Sequence, residues 1–118
     1  MCTQVTYAVT PNPPLVTVVI VNYNGGDMIC QCLTALERQS FQDFATVVVD
    51  NNSVDDSVVA IRKSHPNVAI LQLDKNLGFA GGVNCALQEK ALGTWVVLLN
   101  PDAFRTEDWL ENLVASAQ

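Results

Sequence analysis

Four short polar clusters, each directly behind an apolar run, hold most of the residues of this chain whose types suit binding chemistry. They read Asn22-Tyr23-Asn24-Gly25-Gly26, Asp50-Asn51-Asn52-Ser53, Asp74-Lys75-Asn76-Leu77-Gly78 and Asn100-Pro101-Asp102. Amides and carboxylates at strand ends accept hydrogen bonds from bases or riboses, and a hard carboxylate there can hold Mg2+ or Mn2+ against diphosphate oxygens. Each cluster taken singly is also ordinary turn and capping sequence. Four of them, each placed just behind an apolar run, argue for one shared crevice.

The individual residues sharpen this. Tyr23 offers a flat ring beside a flexible Gly-Gly pair, and both nucleobase stacking and a role as a packing lid are open to it. Asp50 follows Val47-Val48-Val49 and is expected to meet a base or ribose, because Ser53 already stands where a helix cap belongs. From Asn76 to Asn84 the chain reads Asn-Leu-Gly-Phe-Ala-Gly-Gly-Val-Asn. There Gly81 and Gly82 let backbone N–H groups of a helix start approach an anion, although tight helix packing would also require them. The stretch is neither the dinucleotide fingerprint nor a P-loop. Asp102 is the expected metal ligand, with Asn100 adding a carbonyl or a hydrogen bond. His65, in Ser64-His65-Pro66-Asn67, is expected to be a solvated loop residue.

Positioning these groups falls to a regular alternation. The runs 15–21, 45–49, 68–73 and 94–99 are rich in β-branched or apolar residues and nearly unbroken, as strands covered on both faces require. Between them lie helix patterns. Asp27 is expected to cap a helix with Ile29, Cys32, Leu33 and Leu36 inward, and Ser53-Val54-Asp55-Asp56 a helix with Val54, Val58 and Ile61 inward. A third places Phe79, Val83 and Leu87 on one face, and a fourth starts near Thr106 with Leu110, Leu113 and Val114 inward. Strict alternation predicts an α/β, Rossmann-like parallel sheet of about four strands with helices on both faces. Residues 1–14 read as an irregular leader and 15–118 as one domain. The sequence stops inside the fourth helix, so the expectation is a front half, truncated before the half that would complete the crevice.

Composition narrows the partners. With a formal net charge of -6 and 49% hydrophobic residues, neither a nucleic-acid backbone nor an anionic membrane surface is the expected partner. Any bound phosphate must rely on backbone N–H groups, a few local cations or a metal. The four cysteines, Cys2, Cys30, Cys32 and Cys85, lack zinc-site spacing and read as free buried thiols. No signal peptide or membrane-span pattern is present, and the expected location is the cytoplasm or the cytoplasmic face of a membrane.

Taken together, Val18-Val19-Ile20-Val21-Asn22-Tyr23-Asn24, Val48-Val49-Asp50-Asn51-Asn52-Ser53, the Asn76–Asn84 stretch and Leu99-Asn100-Pro101-Asp102 resemble the family-2 glycosyltransferases of GT-A fold. They look most like the rhamnosyltransferase-like branch, from about Leu15 onward. The resemblance implies transfer of a sugar, with inversion, from a UDP- or dTDP-linked donor to a hydroxyl of a glycan or lipid-linked acceptor, in cell-surface polysaccharide or glycan synthesis. It implies that Tyr23 stacks on the base, that Asp50, with Asn51, recognises base or ribose, and that Asp102 holds a divalent metal. Asn22, Asn24, Asn76, Gly81, Gly82 and Asn84 complete the implied donor site. Asn100 departs from the family's Asp-x-Asp motif and Asn51 from the second Asp of many relatives. The base that activates the acceptor is expected beyond Gln118, so these residues are expected to bind donor without transferring sugar.

Three rival readings were weighed. A nucleotidyltransferase wants a basic glycine loop after the first strand, where Gly25-Gly26-Asp27 stands. A phosphoacceptor receiver domain wants an acidic pair where Asn22 and Asn24 stand. A sugar-nucleotide-binding domain without activity has the same sequence features as a donor half.

Overall fold

A computed structural model describes residues 2–6, 14–88, 95–100 and 109–117. Five strands, β1 (Cys2–Thr6), β2 (Val16–Asn22), β3 (Phe44–Asp50), β4 (Ala69–Leu73) and β5 (Trp95–Leu99), form one sheet in the order β1-β4-β3-β2-β5. The helices are α1 (Gly26–Glu37), α2 (Ser57–Ser64), α3 (Gly78–Leu87) and α4 (Trp109–Ala117). β2 to β5 are mutually parallel, confirming the α/β, Rossmann-like architecture.

The winding explains the layers. The chain steps outward from β2 to β3 to β4, then returns across the sheet to pair β5 with the other side of β2. Right-handed crossovers therefore put α1 and α2 on one face and α3 on the other. The side-chain alternation of β2 serves both layers. Val16, Val18 and Ile20 pack with Ile29, Leu33, Leu36, Ile61, Leu110 and Val114 of α1, α2 and α4. Val19 and Val21 face α3, packing with Val49, Leu71, Cys85 and Ala86. Each fully buried Ile or Leu contributes on the order of 1.5–3 kcal/mol. The reversal of winding lies between β2 and β5, and the crevice at such a switch point opens beyond their carboxyl ends.

Several expectations are corrected. Cys2–Thr6 is not irregular but an antiparallel edge strand on β4, with a register shift between Cys2 and Gln4. β5 is not covered on both faces, since Trp95, Val96 and Leu98 are exposed at the sheet margin. Its apolar composition reflects strand propensity without naming its neighbours. α1 starts at Gly26 with Gly25 as N-cap, so Asp27 lies in the first turn and not at the cap. α2 begins only at Ser57, leaving Ser53 four residues short of it and Val54 fully in solvent. On α3 the buried face is Gly82, Val83, Cys85 and Ala86, while Phe79 and Leu87 are exposed. Leu113 of α4 is also exposed.

His65 is no solvated residue. It is 6% exposed, with Nδ1 against the Glu37 carboxylate and Nε2 near the Thr34 hydroxyl. It thereby ties the end of α2 to α1. The thiols of Cys32 and Cys85 are buried and that of Cys30 half-buried, none of the three in a disulfide. No helix among the described residues is long and apolar enough to cross a membrane.

Candidate functional site

The site is built from the strand ends. Register places Asn22 of β2 beside Asp50 of β3, and Asp50 beside Gln72 of β4. Asn22 is fully buried. Its Nδ2 donates to Asp50 Oδ1 at 2.9 Å and to Ser57 Oγ at 3.0 Å, with Ser53 Oγ at 3.3 Å. Asp50, 2% exposed, accepts also from the Ser53 backbone N–H at 3.0 Å and the Ser53 hydroxyl at 2.7 Å. The carboxylate thus turns the chain after β3, and Ser53, expected from sequence to cap the next helix, serves in this turn as donor to Asp50.

This network fixes the orientation of the Asn22 amide. Exchanging its O and N would set an acceptor against the Asp50 carboxylate. Its Oδ1 has no partner among the described residues and lies against Gly25, where a Cβ would overlap it.

The loop after β2 is fastened to the loop after β3 from its other side as well. Asn24 occupies left-handed backbone space, φ +51°, which asparagine tolerates better than most residues. Its Oδ1 accepts from the N–H groups of Val54 at 2.8 Å and Asp55 at 3.3 Å, and its own N–H donates to Ser53 Oγ at 2.8 Å. Asp55 reaches back, accepting from Gly26 N–H at 3.1 Å through Oδ2, and from Ser57 N–H at 3.0 Å and the Ser57 hydroxyl through Oδ1. The Ser57 hydroxyl is the main reason the Asp55 carboxyl lies below its ordinary range; desolvation opposes it, and the backbone N–H groups of Ser57, Gly26 and Asp55 itself each add a smaller lowering. Between these anchored residues Tyr23 stands 52% exposed.

Asn51 fastens the third loop. It is 2% exposed, donates through Nδ2 to the Gly78 carbonyl at 3.0 Å and accepts from Leu77 N–H at 3.0 Å. Asn76 Oδ1 accepts from Gly78 N–H at 2.8 Å. Gly78 has φ +75°, a conformation that favours glycine. Gly82 meets Val21 and Val49 of the sheet at 3.2–3.4 Å from a notional Cβ, so helix packing does require it. At Gly81 a side chain would crowd Leu77, at 2.6 Å. Asn84 is exposed on α3, and Asn100 is exposed just past β5, on the far side of β2.

The structure therefore brings Asn22, Tyr23, Asn24, Asp50, Asn51 and Asn76 into one linked rim. Gly81, Gly82 and Asn84 adjoin it on α3. Asp102 lies outside the described residues. Among those described, no three His, Cys, Asp or Glu side chains gather to hold a metal. The sequence reading missed Asp55, Ser57 and Gly78. The Asn76-x-Gly78 turn pattern signals the last of these, whereas Asp55 and Ser57 matter through partners some 30 residues away that no local pattern reveals.

Comparison with known proteins agrees with this geometry. Residues 17–118 match the sequence profile described as Glycosyl transferase family 2. The chain is 29% identical over 100 residues to the uncharacterized glycosyltransferase YwdF of Bacillus subtilis (strain 168), covering 83% of this chain and 36% of that protein. It aligns with the mannosyltransferase PcManGT from Pyrobaculum calidifontis, solved with GDP-Man and Mn2+, at a TM-score of 0.75 and 31% identity, covering 88% of this chain and 32% of the other. S. aureus TarS 1-349 in complex with UDP-GlcNAc gives a TM-score of 0.76 and 28% identity over 85% of this chain and 30% of that one. The chain spans about a third of the length of these relatives. Four mutually parallel strands, a linked polar rim at their carboxyl ends and a profile match over residues 17–118 lead to one assignment: the chain belongs to glycosyltransferase family 2.

Proposed function

We propose that this rim binds the nucleotide of a UDP- or dTDP-linked sugar, as the donor half of an inverting transferase of the rhamnosyltransferase-like branch. The observation that carries the reading is Tyr23, a half-exposed ring held on a fastened loop beside the switch-point crevice. In this reading the ring stacks on the base. Asn22, Asn24 and Asp50 set the loops beneath it, and Asn51 with Asn76 positions the start of α3. Gly82 keeps α3 close to the sheet and Gly81 leaves room for Leu77, with the helix's N-terminal N–H groups and Asn84 turned to the diphosphate. The acceptor is a hydroxyl of a glycan or lipid-linked molecule, in cell-surface polysaccharide or glycan synthesis at the cytoplasmic side of the membrane. The relatives solved with GDP-Man and Mn2+ and with UDP-GlcNAc support a nucleotide-sugar donor.

A divalent ion suits the charge of this rim. Asp50 and Asp55 are part of it, and Asp27, Asp56 and Asp74 lie in the same loops or helix starts, with Lys75 as the cation of those loops among the described residues. Asp102, with Asn100, would hold Mg2+ or Mn2+, drawing the remaining ligands from diphosphate and water. When bound, the ion would neutralise charge gathering on the departing diphosphate. In an inverting transfer the acceptor oxygen attacks the anomeric carbon opposite the diphosphate, and the hydroxyl proton passes to a base. The residues named here serve donor binding, and none is assigned that proton.

Titration with UDP, dTDP and GDP, with and without Mn2+, followed by amide NMR, tests the reading. Shifts are expected at residues 22–26, 50–55 and 76–84, and at Asn100 with Mn2+ present. Shifts confined to residues remote from Tyr23, Asp50 and Asp102 would overturn it.

A further inference from the structure

The geometry points to Asp55 as a positioning residue for the Tyr23 ring, acting together with Ser53 and Ser57. The inference rests on the donor-site reading above and adds to it a residue outside the rim's apparent binding surface.

The argument starts from what holds Tyr23. Its ring is half in solvent, so its direction is set by the backbone on either side. On the N-terminal side Asn22 is fixed through Nδ2 to Asp50 and Ser57. On the C-terminal side Asn24 is fixed to Ser53, Val54 and Asp55, and Gly26 to Asp55. Every one of these bonds ends on residues 50–57. The hydroxyl hydrogens are committed, because Ser53 and Ser57 donate to the Asp50 and Asp55 carboxylates and accept from Asn24 and Asn22.

Asp55 is where the two sides meet. One oxygen orders Ser57, which in turn receives the Asn22 amide; the other receives Gly26 N–H at the start of α1. Asn24 lies at φ +51°, a conformation that needs outside bonds to persist at a non-glycine residue, and Gly26, at φ +54°, has a glycine's freedom to leave its own conformation once the Asp55 bond is gone. Releasing the Asp55 side chain therefore frees Gly26 at the start of α1 and loosens the support of Asn22 through Ser57, while Asn24 keeps its bonds to Ser53 Oγ and to the backbone N–H groups of Val54 and Asp55. An aspartate standing on the protein surface with this many partners orders a neighbouring loop. Its own helix would need only the Ser57 contact.

A binding cycle on the 118-residue chain tests this, with UDP and MnCl2 as the probe. Asp55→Ala is expected to weaken UDP binding about tenfold, and Tyr23→Ala by at least as much. The double variant is expected to bind within about twofold of Tyr23→Ala alone, since Asp55 acts through the ring. A purely structural cap would lower thermal stability and leave this coupling at zero. Asp55→Asn, which keeps the side-chain size, replaces Asp55→Ala if the latter does not fold. Binding by the Asp55 variant within twofold of wild type, or effects that multiply in the double variant, would overturn the inference. The {1H}-15N NOE of residues 23–26 supplies a readout without ligand and is expected to fall in the variant. An unchanged NOE overturns the loop-ordering role whatever UDP does, whereas a wild-type chain that binds none of the nucleotides overturns the donor-site reading instead.

Discussion

At the scale of single residues, Asn22 shows how a strand end can be specified by one amide. Its two Nδ2 hydrogens face a carboxylate and a hydroxyl in a fully buried place, so neither aspartate nor leucine can replace it. Asn22→Asp would set two carboxylates within hydrogen-bond distance. One must then take a proton, raising its pKa in the folded state above the unfolded value. The stability of this variant is therefore expected to be greatest at low pH and to decline as pH rises through the raised value. Urea unfolding should show a loss of about 2–4 kcal/mol relative to wild type at pH 8 and a smaller loss at pH 4. Gly25→Ala addresses the same amide from the other side. Its methyl group overlaps Asn22 Oδ1, and displacing that amide should cost about 1–3 kcal/mol.

At the scale of elements, the loops bind one another more than they cap their helices. Neither Gly25, Asp56 nor Leu77, the N-caps of α1, α2 and α3, makes a side-chain capping bond. The capping residues expected from sequence are Asp27 and Ser53; in the fold Gly26 N–H is met by Asp55 from the neighbouring loop, and the N–H groups of Ser57 and Gly78 by Asp55 and Asn76 two residues earlier. Because Asp55 is held below the ordinary aspartate value of 3.8, its contribution is present above that pH. It is lost as pH falls through the lowered value. The amide resonances of Gly26 and Ser57 are expected to titrate together below pH 3.8, and a midpoint at or above it would show that Asp55 accepts no such bonds. Helix α3 gives a second prediction. A valine at Gly82 pushes into Val21 and Val49, whose methyl groups lie only 3.2–3.4 Å from a first carbon. Gly82→Val should cost about 1–3 kcal/mol of stability, read as a lowered melting midpoint, while Asn84→Ala, exposed on the same helix, should melt as wild type does.

At the scale of the whole molecule, the parallel sheet was legible because β2 to β5 are long β-branched or apolar runs separated by crossovers. Strand β1 was not. Cys2-Thr3-Gln4-Val5-Thr6 carries no apolar run, and an edge strand needs only one partner to form. The gathering of these polar residues at the strand ends was legible for the same reason, since strand ends follow from strands; the partners of Asp50, Asn51 and Asp55 were not, because they depend on which loops the winding sets side by side. The acidic balance, by contrast, was legible in full, and it has a consequence for ligand binding. A chain of net charge -6, with aspartates in the loops that form the rim, repels a nucleoside diphosphate. Salt screens that repulsion over a distance of about 10 Å at 0.1 M. Without a divalent ion, UDP affinity is therefore expected to rise several-fold between about 10 and 200 mM NaCl, opposite to the behaviour of a phosphate site built from Lys and Arg. With saturating Mn2+ the ion supplies the attraction, so affinity should be higher at every ionic strength and should fall with salt. Calorimetric titration across the salt series, repeated after EDTA, distinguishes the cases. Metal-free affinity that falls with salt would mean that cationic side chains hold the diphosphate, and the charge argument for Asp102 and a bound ion would fail with it.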